Sequence, residues 1–217
     1  MNRKFFLSSE VLSSDRSASI ASEVELVPVN CFTTLDFEEI YGRHAHVEID
    51  LGCGDGSFLA ALAGENPDKD FLGIERLVGR VRSACGKIAR SGLKNARVLQ
   101  FEISYALERL LPENSVASFH LMFPDPWPKR RHAPRRLVSK KFLAALHRAL
   151  AANGTVRIAT DEIEYFRQIT RLVSESSLFA VICDAVPATA MSKFEKQFTL
   201  DGVKIHRLTL RKVSPVT

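Results

Sequence analysis

From Pro126 to Thr160 the chain contains no Asp or Glu, while nine Lys and Arg fall in that window. The net charge of the whole is +5. A surplus of that kind permits a polyanionic partner, and its concentration on one segment is the footprint expected of nucleic-acid binding. Cysteine is scarce. Cys31, Cys53, Cys85 and Cys183 include no CxxC pair. That argues against a zinc site and a disulfide framework, and it fits a reducing cytoplasm. No apolar run reaches the roughly 18 residues of a membrane span. The run Phe5-Phe6-Leu7 stops at Ser8-Ser9-Glu10, too short for a secretory signal. No Gly-Lys-Ser/Thr triplet occurs, which removes the ATP-type P-loop.

What remains is ordinary soluble composition over 217 residues, 46% hydrophobic and 25% charged. That length suggests one domain with enough interior to fold without staples. Residues 1–22 hold seven Ser and little periodicity and read as a mobile N-terminal arm. Residues 23–217 read as a single domain. Val24, Leu26, Val27 and Val29 have strand character but no evident partner.

From His46 the pattern becomes regular. Strands are predicted over His46 to Leu51, Asp70 to Glu75, Ala96 to Phe101, Val116 to Met122 and Thr155 to Thr160. Helices are predicted over Ser57 to Ala63, Leu77 to Ser91, Ala106 to Leu110, Ser139 to Leu150 and Ile163 to Val173. Asn153-Gly154 is the predicted stop of the fourth helix. The fifth carries Ile163, Phe166, Ile169 and Val173 as its apolar stripe. Strand and helix alternate in the manner of a parallel sheet covered on both faces, an α/β Rossmann-like fold. Phe179 to Ala185 and Lys204 to Arg211 lack a long helix between them and form an antiparallel edge hairpin. The expected sheet has seven strands, mostly parallel.

The polar residues fall at the strand ends. Gly52-Cys53-Gly54-Asp55-Gly56 follows the first strand and Glu75 ends the second. Glu102 follows the third, Asp125 the fourth, and Thr160-Asp161 ends the fifth. In a parallel sheet these positions share the carboxyl edge, where ligands bind at the switch point. A glycine turn there lets backbone approach a ligand closely. Such turns also serve NAD and FAD enzymes. Glu75 can accept both hydroxyls of a ribose, so an adenosine cofactor fits. Asp50, Asp55, Glu75 and Glu102 put four carboxylates near the pocket. They repel a pyrophosphate and attract a cofactor carrying ammonium and sulfonium charges, which S-adenosyl-L-methionine does.

Phe123-Pro124-Asp125-Pro126-Trp127-Pro128-Lys129 is the most specific stretch. Two prolines hold an acid in a stiff turn that a sheet ladder does not absorb. The only Trp and a block of cations follow directly. An acid, an aromatic plane and a cationic strip suit a planar base held beside phosphates. Trp127 either stacks on that base or braces the loop. His120 and His132 read as structural.

Asp50-Leu51-Gly52-Cys53-Gly54-Asp55-Gly56, Phe71-Leu72-Gly73-Ile74-Glu75, Phe123 to Lys129, Ala159-Thr160-Asp161 and Ser192-Lys193-Phe194-Glu195 occur in order. In these stretches the chain resembles the bacterial tRNA (guanine-N7-)-methyltransferases, from about residue 46 to 212. The resemblance implies a class I methyltransferase fold, S-adenosyl-L-methionine as donor, and a guanosine of the tRNA variable loop as target. It implies cofactor contacts at Asp50, Gly52, Gly54, Glu75, Glu102 and Asp125, with Asp125 also catalytic. It implies substrate contacts at Lys129, Arg131, Arg135, Arg136, Asp161, Ser192, Lys193, Phe194 and Glu195. Asp50 stands where the family has Glu, Ser192 where it has Thr, and Gln197 where a basic residue is common.

Guanine N7 carries a free lone pair at neutral pH, so the expected task is alignment rather than proton removal. Asp125, Asp161 or Glu195 is expected to grip the N1–H and N2–H edge of the base. A metal plays no part in this scheme, and monomer and homodimer stay equally open. Two rival classes remain at the level of sequence. One is a non-catalytic RNA-binding module on the same fold, the other a dinucleotide-dependent oxidoreductase.

Overall fold

The computed structural model describes residues 23–182 and 202–213. The expected arm at residues 1–22 and the stretch Ser192 to Glu195 lie outside the described residues, as do Cys183 and Gln197.

Eight strands form one sheet. They are β1 (Glu25–Leu26), β2 (Val47–Leu51), β3 (Asp70–Glu75), β4 (Ala96–Gln100), β5 (Val116–Met122), β6 (Leu150–Thr160), β7 (Phe179–Ile182) and β8 (His206–Lys212). Their order across the sheet is β1-β4-β3-β2-β5-β6-β8-β7. All neighbours are parallel up to β6; β8 then runs antiparallel to both β6 and β7. The chain moves outward from β2 to β3 and β4, then returns to the other side of β2 with β5. The strand order therefore reverses between β2 and β5, and a ligand crevice opens above their carboxyl ends.

β2 shows why the residues alternate as they do. Ile49 and Leu51 face one core with Leu72, Ile74, Phe119 and Leu121. Glu48 and Asp50 face the opposite way, because successive side chains point to opposite sides. Six α-helices flank the sheet among the described residues: α1 (Phe37–Tyr41), α2 (Ser57–Glu65), α3 (Val78–Arg90), α4 (Ile103–Tyr105), α5 (Lys140–Ala149) and α6 (Ile163–Ser174). Phe58, Leu59 and Leu62 of α2, with Val81, Ala84, Cys85 and Ile88 of α3, cover one face. Phe142, Leu143 and Leu146 of α5 and Tyr165, Ile169 and Val173 of α6 cover the other.

Four details differ from the sequence reading. β1 is an eighth strand, two residues long, that pairs Glu25 with Val98 and Leu26 with Leu99 on β4. A partner about seventy residues downstream leaves no local pattern. Helix α5 stops at Ala149, and Asn153-Gly154 lies inside β6, where the pairing with β5 shifts register. A Cβ on Gly154 would sit 2.9 Å from the Ala151 carbonyl oxygen, so close backbone approach is what the glycine permits there. Ala106–Leu110 winds as a π-helix continuing α4. Finally, the buried stripe of α6 is Tyr165, Ile169 and Val173, leaving Ile163 exposed. The turn is rotated because the buried Tyr165 hydroxyl accepts the Val138 N–H at 3.1 Å.

Candidate active site

The turn after β2 is built from backbone conformations that only glycine adopts freely. Gly52 has φ +82° and Gly54 φ +56°, both in the left-handed region. The Gly52 N–H donates to the Ile74 carbonyl at 2.8 Å, pinning the turn to β3. Glu75, at the end of β3, holds it from the other side. Its carboxylate accepts from the Gly54 N–H at 3.2 Å and the Leu77 N–H at 2.9 Å. Each oxygen keeps a further lone pair for a ligand hydroxyl. Glu102 caps α4, accepting from the Tyr105 N–H at 2.8 Å.

Across the switch point, the chain leaves β5 through a strained turn. Phe123 has φ +53° and Trp127 φ +41°, and Asp125 sits exposed between them. Non-glycine residues in this region cost of order 1–3 kcal/mol each and cluster at functional sites. The loop is held by its own cations. The Arg135 guanidinium lies 5.0 Å from the Trp127 ring centroid, and the His132 ring meets the indole edge-on at 5.7 Å. Arg136 donates to the Pro126 carbonyl at 2.7 Å. In this arrangement Trp127 packs against the loop's own cation and imidazole and also lines the cleft beside it.

Between the two halves lies a cleft of about 370 Å³. Gly52, Glu75, Glu102, Asp125 and Arg135 all line it, five expected site residues from four separate stretches of chain. Leu77 and Ile103 line it too, as do Arg76 and Arg80. Sequence reading missed these four. Leu77 and Ile103 stand two and one residues past the acids Glu75 and Glu102, which is where apolar walls for a flat ring belong once the acids are placed. Gly54, Lys129, Arg131, Arg136 and Asp161 are not cleft residues. Lys129, Arg131 and Asp161 are exposed nearby in the chain, beyond Asp125 and β6.

Asp50 lies beneath the turn, 3% exposed, rather than on the cleft wall. Burial, reinforced by the Glu75 charge, pushes its carboxyl up to about 7. The neighbouring Glu48 has a different role. Burial alone would raise it, but hydrogen bonds and charge from His120 and Lys69, each at 2.8 Å, hold it at about 2. Burial lowers the pKa of His120, against the opposing pull of the Glu48 carboxylate. Lys69 forms an ion pair with the same carboxylate. This ties Glu48 to His120 and Lys69 within the fold, while Asp50 sits behind the turn with the Glu75 charge as its neighbour. Asp55 is tied to Lys87 at 2.9 Å and stabilises the start of α2 through the Ser57 N–H. Among the described residues, no three of His, Cys, Asp and Glu come together as a metal site, and no helix is long and apolar enough to cross a membrane.

A sheet ordered in this way, with a glycine turn and an acid pair at its switch point, defines a class I methyltransferase fold. Residues 44–208 match a family described as putative methyltransferase. A crystal structure of the antibiotic-resistance methyltransferase Kmr superposes with a TM-score of 0.60 at 21% identity, covering 88% of this chain and 96% of that one. A methyltransferase from Aquifex aeolicus described as SAM-dependent gives 0.55 at 17% identity, covering 91% and 98%. Likeness at that level of identity concerns the fold alone. Curated relatives are closer in sequence. The tRNA (guanine-N(7)-)-methyltransferase of Leifsonia xyli subsp. xyli is 45% identical over 82% of this chain and 81% of its own length. The enzyme of the same name from Thermotoga maritima is 36% identical over 89% of this chain, which spans 63% of that relative's length. The chain belongs to the tRNA (guanine-N7-)-methyltransferase family.

Proposed function

We propose that this protein transfers a methyl group from S-adenosyl-L-methionine to N7 of a guanosine in tRNA, in the variable loop. The observation that carries the reading is the position of Asp125. It lines a cleft shared with Glu75 and Glu102 and stands in a strained loop that continues into the cationic strip. The residues present fit the cofactor. Gly52 brings bare backbone to the cleft, Glu75 offers free lone pairs to a ribose, and Leu77 and Ile103 offer apolar walls to an adenine. Asp50 and Glu75 provide buried negative potential for a cationic ligand. When bound, S-adenosyl-L-methionine supplies an electrophilic methyl on a sulfonium.

The protein's own work is alignment, because N7 needs no base. Asp125 accepts hydrogen bonds from the N1–H and N2–H edge, the kind of paired contact worth roughly 1–3 kcal/mol against a wrong base. Its charge also favours the cation that grows on the ring as the methyl arrives. Asp161 and Glu195 are the other acids available for that edge. Lys129, Arg131 and Arg135 hold phosphates. Names of the relatives support neither a non-catalytic module nor an oxidoreductase.

The test is methyl transfer from labelled S-adenosyl-L-methionine to unmodified tRNA, followed by digestion and nucleoside mass spectrometry. Appearance of 7-methylguanosine is expected, with loss of turnover but retention of cofactor binding in Asp125→Ala. Near-normal turnover in that variant would remove Asp125 from the catalytic role.

A further inference from the structure

From Arg76 to Phe101 the chain contains seven Lys and Arg and no Asp or Glu, a second acid-free block besides the one after Asp125. Two of its cations are engaged within the fold. Lys87 binds Asp55, and Arg97 lies over the Tyr41 ring at 5.6 Å. Arg76, Arg80, Arg82 and Arg90 are exposed. The buried residues of α3, Val81, Ala84, Cys85 and Ile88, face the sheet, so these arginines belong to its open side.

These arginines are scarcely neutralised. Among the described residues the only ion pair made by those four arginines is Arg80 to Glu75, at 3.9 Å. On the opposite face of the sheet, several exposed cations have acids beside them. Lys140 pairs with Glu175 at 3.0 Å, Lys141 with Glu108 at 2.8 Å, and Arg167 with Glu164 at 2.6 Å. A run of exposed arginines with almost no acid partners is suited to a polyanion.

Two further observations say which polyanion. Arg76 and Arg80 line the same cleft as Trp127 and Arg135, so the second basic surface meets the first at the mouth of the site. Leu77 and Val78 lie between the arginines and are 43% and 45% exposed. Exposed apolar side chains set among arginines suit a strand in which phosphates alternate with bases, as in single-stranded nucleic acid.

We propose that the open face of α3 is a second RNA-binding surface, taking the tRNA strand that runs on from the methylated guanosine. Arg80, Arg82 and Arg90 hold its phosphates, and Val78 lies against its sugars and bases. The inference rests on the tRNA-methylating reading above.

The experiment uses the full chain with the double substitution Arg82→Ala/Arg90→Ala, neither residue lining the cleft. Binding of unmodified tRNA is measured by filter retention across a salt series. Loss of two phosphate contacts should make the log–log salt slope shallower by about 1.4 to 1.8. KM for tRNA should rise, and a cofactor titration checks that the fold is intact. Lys140→Ala/Arg171→Ala, on the opposite face, should leave the slope where it is. An unchanged slope in the Arg82/Arg90 variant, with wild-type protein methylating tRNA normally, overturns this inference and leaves the functional reading in place. Wild-type protein that neither binds nor methylates tRNA overturns both. Polyglutamate probes the other polyanion: loss of its binding with the tRNA slope unchanged assigns the surface to an acidic protein instead.

Discussion

The Arg136 guanidinium joins Pro126 to Gln168: Nε donates to the Pro126 carbonyl at 2.7 Å and Nη1 to the Gln168 side chain at 2.5 Å. Its plane also lies 5.0 Å from the Tyr165 ring centroid. A residue expected from sequence to touch RNA thus joins the Asp125 loop to α6.

Replacing Arg136 with Lys keeps the charge and removes the planar fork, so the two bonds are no longer made together. Misplacing a reacting group by about 1 Å can cost on the order of a hundredfold in rate. The expected result is a kcat lowered by about ten- to a hundredfold, with cofactor affinity and the tRNA salt slope close to wild type. A reduced slope with kcat preserved would return Arg136 to the RNA surface.

Asp50 makes the free protein's stability pH-dependent with a definite sign. Its carboxyl is raised from 3.8 to about 7. Between those values the folded protein holds a proton that the unfolded chain has released, so this group's contribution to stability falls as pH rises through the window. At about 1.4 kcal/mol per pH unit the effect is bounded near ~4 kcal/mol. Asp50→Asn should therefore be more stable than wild type at pH 8, with the difference shrinking toward pH 4, as read by urea unfolding. A cationic ligand favours the ionised form, so wild-type affinity for S-adenosyl-L-methionine should climb as pH approaches 7. In the Asn variant affinity should be weaker and its pH profile flatter.

Gly73 marks where the acid-bearing strands meet α2. A Cβ there would lie 2.6 Å from a Leu59 methyl and 2.7 Å from the Cys53 sulfur, both in the packed core beneath the glycine turn. Gly73→Ala should cost about 1–3 kcal/mol by overpacking. Because Cys53 belongs to the turn, cofactor affinity should fall with the melting temperature. Gly79→Ala, whose Cβ meets nothing within 4 Å, is the matched control for stability.

The strand ends were legible because apolar runs stop abruptly at charged residues or turn formers: Leu51 before Gly52, Ile74 before Glu75, Met122 before the Pro-Asp-Pro turn. Periodicity within a short window was enough to assign them, and five expected residues do meet in the cleft. Features set by contacts distant in sequence were not legible. β1 depends on β4, and the exposed Ile163 depends on Val138 reaching the Tyr165 hydroxyl. Asp50 and Glu48 look alike as strand acids. Only the neighbours, Lys69 and His120 for one and Glu75 for the other, separate an acid that anchors the fold from one left in the site. Arg136 and Arg135 are adjacent in the sequence, yet one faces inward to Gln168 and the other outward to the cleft.

β8 lies between β6 and β7, although it follows both in the chain. During synthesis the ribosome delivers β6 and β7 before the strand that joins them exists. Until His206–Lys212 emerges, the edge of β6 carrying Val156 and Ile158 has no partner, and nascent chains paused before that point present a sticky border to one another. Among the described strands β8 is thus the latch that closes this side of the sheet, and only its emergence, after every strand it must join, ends that exposure.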